Sequence, residues 1–97
     1  MTIVYLNRLN DFGKKHANAR KSLSAWKRVA VNANWKKKQD VLTDFPNAKM
    51  IDNNRARFEI VHNTFRLIAL IDYEDQIVQI RFIGTHNEYE RIDPSVV

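Results

Sequence analysis

Three features of the chain predict an α+β domain. Apolar residues in the first half recur at helical spacing, and after Pro46 apolar and polar residues alternate with a period of two. No repeat, linker or low-complexity stretch divides the 97 residues. The pattern therefore predicts a single domain over residues 1–97. Two or three N-terminal helices lie on one face of a four-stranded, mainly antiparallel sheet, and a short C-terminal helix closes the chain.

The elements follow in order. Ile3-Val4-Tyr5-Leu6 reads as a strand that joins the sheet. Asn7 or Asn10 can then cap a helix that buries Leu9 and Phe12 and exposes Lys14 and Lys15. Leu23, Trp26, Val29 or Ala30, and Ala33 form one apolar stripe on a second helix from about Ala19 to Asn34. Gln39 to Phe45 reads as a shorter third helix that Pro46 ends, because the residue before a proline is pushed out of the α region. Arg55 to Val61, Phe65 to Ile71 and Ile77 to Ile83 are strand-length runs, with turns at His62-Asn63 and Glu74-Asp75. His62 belongs to its turn, where a His before Asn tolerates positive φ. His16 is placed on an exposed helix face.

Composition narrows the class. Hydrophobic residues at 44% and charged residues at 28% suit a globular domain that folds alone. With no cysteine there is no disulfide, thiolate metal site or cysteine nucleophile, which fits a reducing cytoplasm. The first residues lack the apolar centre of a signal peptide, and no stretch approaches the ~20 apolar residues that span a bilayer. The expectation is a cytoplasmic protein with no membrane partner. A net charge of +5 and a pI near 9.7 point to a polyanionic partner. The excess is uneven: residues 1–45 hold ten Lys/Arg against three Asp/Glu, and residues 46–97 hold six against eight.

Register gives the sheet two chemically different faces. With turns centred as above, Arg66 lies opposite both Glu59 and Ile83, and Arg81 lies opposite Ile68. Ala56, Phe58, Ile60, Phe65, Leu67, Ala69, Ile71, Val78, Ile80 and Phe82 then share the core face. Arg55, Arg57, Glu59, Arg66, Gln79 and Arg81 share the other. Arg66 and Arg81 become diagonal neighbours roughly 7–8 Å apart, so both guanidinium groups can reach one phosphodiester, with Arg57 completing a basic triangle.

Cutting RNA without a metal requires a base for the 2′-hydroxyl proton, cations for the phosphorane and an acid for the leaving 5′-oxygen. His86 suits proton transfer near neutral pH and leaves the last strand at the rim of the arginine face. Thr85 can cap a short helix that brings Glu88 and Tyr89 along the next half turn. These spacings alone admit a duller reading, in which His86 ties the C-terminal segment to the sheet and Glu88 pairs with a nearby arginine. Tyr89 then only packs its ring, and Arg66 forms a cross-strand ion pair with Glu59. Lys36-Lys37-Lys38 is a solvated charge run that, beside Trp35, can grip RNA phosphates and affect affinity.

The run Asn63-Thr64-Phe65-Arg66-Leu67-Ile68 and the later Ile80-Arg81-Phe82-Ile83-Gly84-Thr85-His86-Asn87-Glu88-Tyr89 resemble the signature of the HigB toxins. There an Asn-x-Tyr-Arg-Leu strand precedes a Thr-His-x-Glu-Tyr-Asp ending. Trp35, the Val41-Leu42 to Phe45-Pro46 segment and Arg57-Phe58 also fall where that family has Trp, a short helix and an Arg/Val-x-Phe strand. The resemblance implies a RelE-like fold and a ribosome-dependent endoribonuclease that cuts mRNA during translation. It also implies a HigA-type helix-turn-helix antitoxin, through which alone operator DNA is met, and neither a metal nor another cofactor. Carried over by residue, it makes Arg66 the phosphate-stabilising cation and His86 the leading acid/base, with Glu88 and Tyr89 in supporting roles. Arg57, Arg81 and Lys36, Lys37 and Lys38 are the remaining RNA-binding candidates. Phe65 stands where Tyr is common, Val61-His62 where a Gly-Gly pair is, and Glu90 where Asp is. The competing function class is a non-catalytic binder, either a gyrase poison of the ParE kind or a small RNA-binding module. Such a binder has no need of His86, Glu88 and Tyr89 beside Arg66.

Overall fold

The computed structural model describes all of residues 1–97. In chain order the elements are β1 (Thr2–Val4), α1 (Asn7–Lys15), α2 (Arg20–Asn32), α3 (Lys38–Asp44), β2 (Lys49–Ile51), β3 (Arg55–Ile60), β4 (Phe65–Asp72), β5 (Ile77–Thr85) and α4 (His86–Tyr89). A single 3-10 turn, Ala17–Ala19, links α1 to α2. The five strands form one sheet in the order β1-β5-β4-β3-β2. β1 runs parallel to β5 and every other pairing is antiparallel. No helix is long and apolar enough to cross a membrane.

The expected four-stranded sheet is thus corrected to five strands. The missed strand, β2, has three residues, of which only Met50, opposite Ala56, packs against the core. One inward residue cannot display a period of two. At the other end, α1 begins without a side-chain cap, so neither Asn7 nor Asn10 serves the role assigned to it. Tyr5, at φ 65°, turns the chain out of β1 directly into the helix.

The helices cover one sheet face. Trp26 from α2 and Phe45 meet Phe58 of β3 in edge contact at 5.3 and 5.0 Å, and Trp35 meets Phe45 edge-on at 6.0 Å. Trp35 donates its indole N–H to Asp44 at 2.9 Å, a polar anchor for a ring buried among apolar neighbours. Ala56, Phe58, Ile60, Phe65, Leu67, Ala69, Ile71, Val78 and Ile80 complete this core, as the alternation predicts.

Register departs from expectation at one place. The β3–β4 hairpin pairs Glu59 with Arg66 as predicted. The β4–β5 hairpin holds the predicted register from Asp72↔Ile77 to Ala69↔Ile80 and then slips, so that Ile68 faces Phe82, Leu67 faces Ile83 and Arg66 faces Gly84. Arg81 is the extra residue of a β-bulge, and beyond it β5 exchanges its two faces. Phe82 therefore leaves the core face for the arginine face, and Ile83 packs against the core in its stead.

Candidate active site

Arg66 is the second residue of β4 and points away from the helices. Gly84 stands opposite it on β5 and Glu59 opposite it on β3. It is the one charged residue buried in the molecule, at 6% exposure. Its Nη2 lies 3.1 Å from His86 Nδ1, and its guanidinium carbon sits 5.2 Å from the centre of the Tyr89 ring. The Arg66–Glu59 ion pair of the duller reading is absent, since Glu59 lies instead 3.7 Å from Arg57. Arg66 Nε has no partner. A guanidinium withdrawn from water without a carboxylate beside it is positioned to receive an anion.

Local sequence explains how α4 presents its groups. Thr85 caps the helix: Glu88 N–H donates to its hydroxyl at 3.2 Å, and the Glu88 carboxylate accepts from Thr85 N–H at 2.8 Å. The Thr85 main-chain N–H, then its hydroxyl, hold the Glu88 carboxyl below its ordinary value of 4.5, and the field of His16 adds to them. Glu88 thus shapes α4 instead of pairing with an arginine. One turn of helix sets His86 beside Glu90, with Nε2 2.8 Å from Oε1. For Arg66 to donate to Nδ1, that nitrogen must be bare, so Nε2 carries the proton and donates it to Glu90. Arg66, His86 and Glu90 therefore form a relay in which the arginine and the carboxylate fix the imidazole tautomer from either side.

The remaining sequence candidates separate. Arg57 shares the Arg66 face one residue pair away, with its Nε buried and unpartnered. Arg81 sits at the bulge, and it donates to Gln79 Oε1 at 2.8 Å and to the Val97 main-chain oxygen at 3.1 Å. Arg55 is held by the same Val97 oxygen at 2.7 Å. The C-terminal segment therefore crosses this face and engages two of the four arginines, and the Arg66–Arg81 pair does not form. Lys36, Lys37 and Lys38 are exposed, but Gln76 bonds Trp35 O at 2.7 Å and fixes them near the far end of β4. Six residues of strand put that end about 20 Å from Arg66.

Two site neighbours were not named as candidates in the sequence. Glu90 was legible from its spacing to His86, the i, i+4 step of a helix. His16 was not, because only the tertiary fold brings the end of α1 to this corner. It is not on an open helix face: its ring stacks on Phe12 at 4.3 Å and lies 5.1 Å from Phe65. No group of three or more His, Cys, Asp or Glu side chains is placed to hold a metal ion.

Fold and site together define a small basic α+β protein with an arginine–histidine cluster at the mouth of its sheet. Residues 19–92 match the family of HigB toxins, the RelE-like toxic component of a toxin-antitoxin system, and the chain belongs to that family. Membership implies an antitoxin as partner. No curated protein matches the chain.

Proposed function

We propose that this toxin is an endoribonuclease of RelE-like fold that cuts mRNA on the ribosome, without a metal, through attack of a 2′-hydroxyl on the neighbouring phosphate. The observation that carries the reading is Arg66, buried without a carboxylate and 3.1 Å from His86. A phosphate arriving at Arg66 takes over the Nη2 donor and leaves His86 Nδ1 bare to accept the 2′-hydroxyl proton. Glu90 stabilises the imidazolium that forms. As the 2′-oxygen bonds to phosphorus, the guanidinium neutralises the phosphorane, and the bond to the 5′-oxygen breaks. The imidazolium or the Tyr89 hydroxyl protonates that oxygen, leaving a 2′,3′-cyclic phosphate and a 5′-hydroxyl.

Arg57 extends the phosphate track beside Arg66. Lys36, Lys37 and Lys38, at the other end of the sheet, suit contacts with ribosomal RNA backbone. The antitoxin is of the helix-turn-helix HigA type and carries the operator contacts. The test is sequencing of RNA ends after brief induction, with and without halted ribosomes. Cuts within translated codons that vanish in His86→Ala and Arg66→Ala support the reading. DNA-damage signalling with intact transcripts would overturn it in favour of a gyrase poison.

A further inference from the structure

The bulge in β5 puts an aromatic ring where a regular strand would have buried it. Phe82 pairs with Ile68 on the Arg66 face and is half-buried. Gly84 makes room for it, since a Cβ there would stand 2.6 Å from Phe82 Cζ. Phe82 lies 6.4 Å from the Tyr89 ring at a 51° tilt, and Tyr89 in turn covers Arg66. Ring, ring and guanidinium thus run continuously from the bulge to the Arg66–His86 pair.

On its other side Phe82 lines a groove of about 380 Å³ together with Arg8, Asp11, Lys15 and Arg81. The groove exists because β1 pairs with β5 only as far as Gln79. Beyond that point α1 lies along the open strand edge, and Arg8 closes it by donating to Ile80 O at 3.3 Å and Arg81 O at 3.1 Å. The groove therefore offers the Phe82 and Phe12 rings with Ile83, a single carboxylate, and three cations, of which Arg8 and Arg81 already donate to main-chain oxygens and Lys15 is exposed.

We propose that Phe82 is a stacking ledge for a base of the RNA strand, and that the α1–β5 groove holds the nucleotide next to the phosphate at Arg66. The proposal rests on the nuclease reading and adds to it the residue on which a base stacks. A nucleobase suits this groove better than a peptide or a free anion does. Its flat face stacks on an aromatic ring whatever its sequence, and its backbone phosphates meet the cations. Asp11 can accept from an exocyclic amino group. Bulges near functional sites commonly re-aim one side chain, and here the re-aimed chain is the ring. Purines stack more strongly, so a purine is favoured at the ledge.

The test measures base-dependent binding, separately from cleavage. Two nonamers with 2′-O-methyl riboses, which resist cutting, are compared by fluorescence anisotropy: oligoadenylate and an abasic strand of equal length. Wild-type protein is expected to bind oligoadenylate roughly 5- to 150-fold more tightly. Phe82→Leu is expected to lose most of that preference and Phe82→Tyr to keep it, while both bind the abasic strand alike. Equal preference in Phe82→Leu and wild type, or no preference in wild type, would overturn the ledge. Loss of preference in Phe82→Leu by a protein that cuts no message would uphold the ledge and sink the nuclease reading. Cleavage with an unchanged preference would do the reverse.

Discussion

Arg66→Met separates function from stability more cleanly than any other single change. Methionine replaces the stem of the side chain and removes the charge. At 6% exposure, Arg66 forgoes hydration worth several kcal/mol, with no carboxylate beside it to offset the loss. Against that stand one charge-assisted bond to His86, worth about 1.5–3 kcal/mol, and the Tyr89 ring contact, worth about 1–2 kcal/mol. These terms nearly cancel, so Arg66→Met should unfold within about 1 kcal/mol of wild type, a Tm difference of no more than about 4–8 °C. Cleavage should fall about 10²- to 10³-fold, the usual cost of deleting one donor to a developing oxyanion. Thermal melts and primer extension on a translated message measure the two effects. A stability loss of about 3–5 kcal/mol, typical of breaking a compensated buried pair, would overturn this role by making Arg66 a structural residue. So would undiminished cleavage.

Three further outcomes follow from individual contacts. Glu90→Gln keeps an acceptor near His86 but removes the charge. Because the carboxylate is 63% exposed, the cleavage rate should fall on the order of tenfold, well short of the roughly 10⁴-fold drop for a buried orienting carboxylate; an unchanged rate would remove Glu90 from the relay. Glu88, held below 4.5 by Thr85, adds stability that is fully present above its unfolded value and disappears as pH falls through its folded one. Urea melts should accordingly show wild type more stable than Glu88→Gln at pH 6, with the gap closing below about pH 4; a pH-independent gap would contradict the capping role. His62 is exposed at φ 55°, and His62→Gly should relieve about 1 kcal/mol of left-handed strain and raise Tm by about 4–8 °C. A lower Tm would show that the side chain makes contacts worth more than the strain.

The sequence made most of the fold legible because alternation and helical spacing are local signals. The Phe58, Leu67 and Ile80 face and the Trp26 stripe needed nothing more. β2 escaped because three residues hold too little period, and the slip at Arg81 escaped because a bulge inserts one residue without any composition of its own. That single residue accounts for the misplacement of Phe82, the loss of the Arg66–Arg81 pair and the pairing of Arg66 with Gly84. Within the site, Arg66, His86, Glu88 and Tyr89 do converge, since all four lie within a few residues of the β4 and β5 ends that meet. The capping role of Glu88 was implicit in Thr85-x-x-Glu88. The proximity of His16 and the capture of Arg55 and Arg81 by the C-terminal segment depend on tertiary contacts, which no local pattern encodes.

The nuclease reading stands on His86, held by Arg66, moving a proton at a phosphodiester. The most direct measurement is the chemistry of the RNA ends produced by purified toxin on ribosomes translating a defined message, with His86→Ala alongside. Wild type should leave 2′,3′-cyclic phosphate and 5′-hydroxyl ends, and the variant should leave the message intact. Intact message from both, or identical cutting by both, would contradict the nuclease reading.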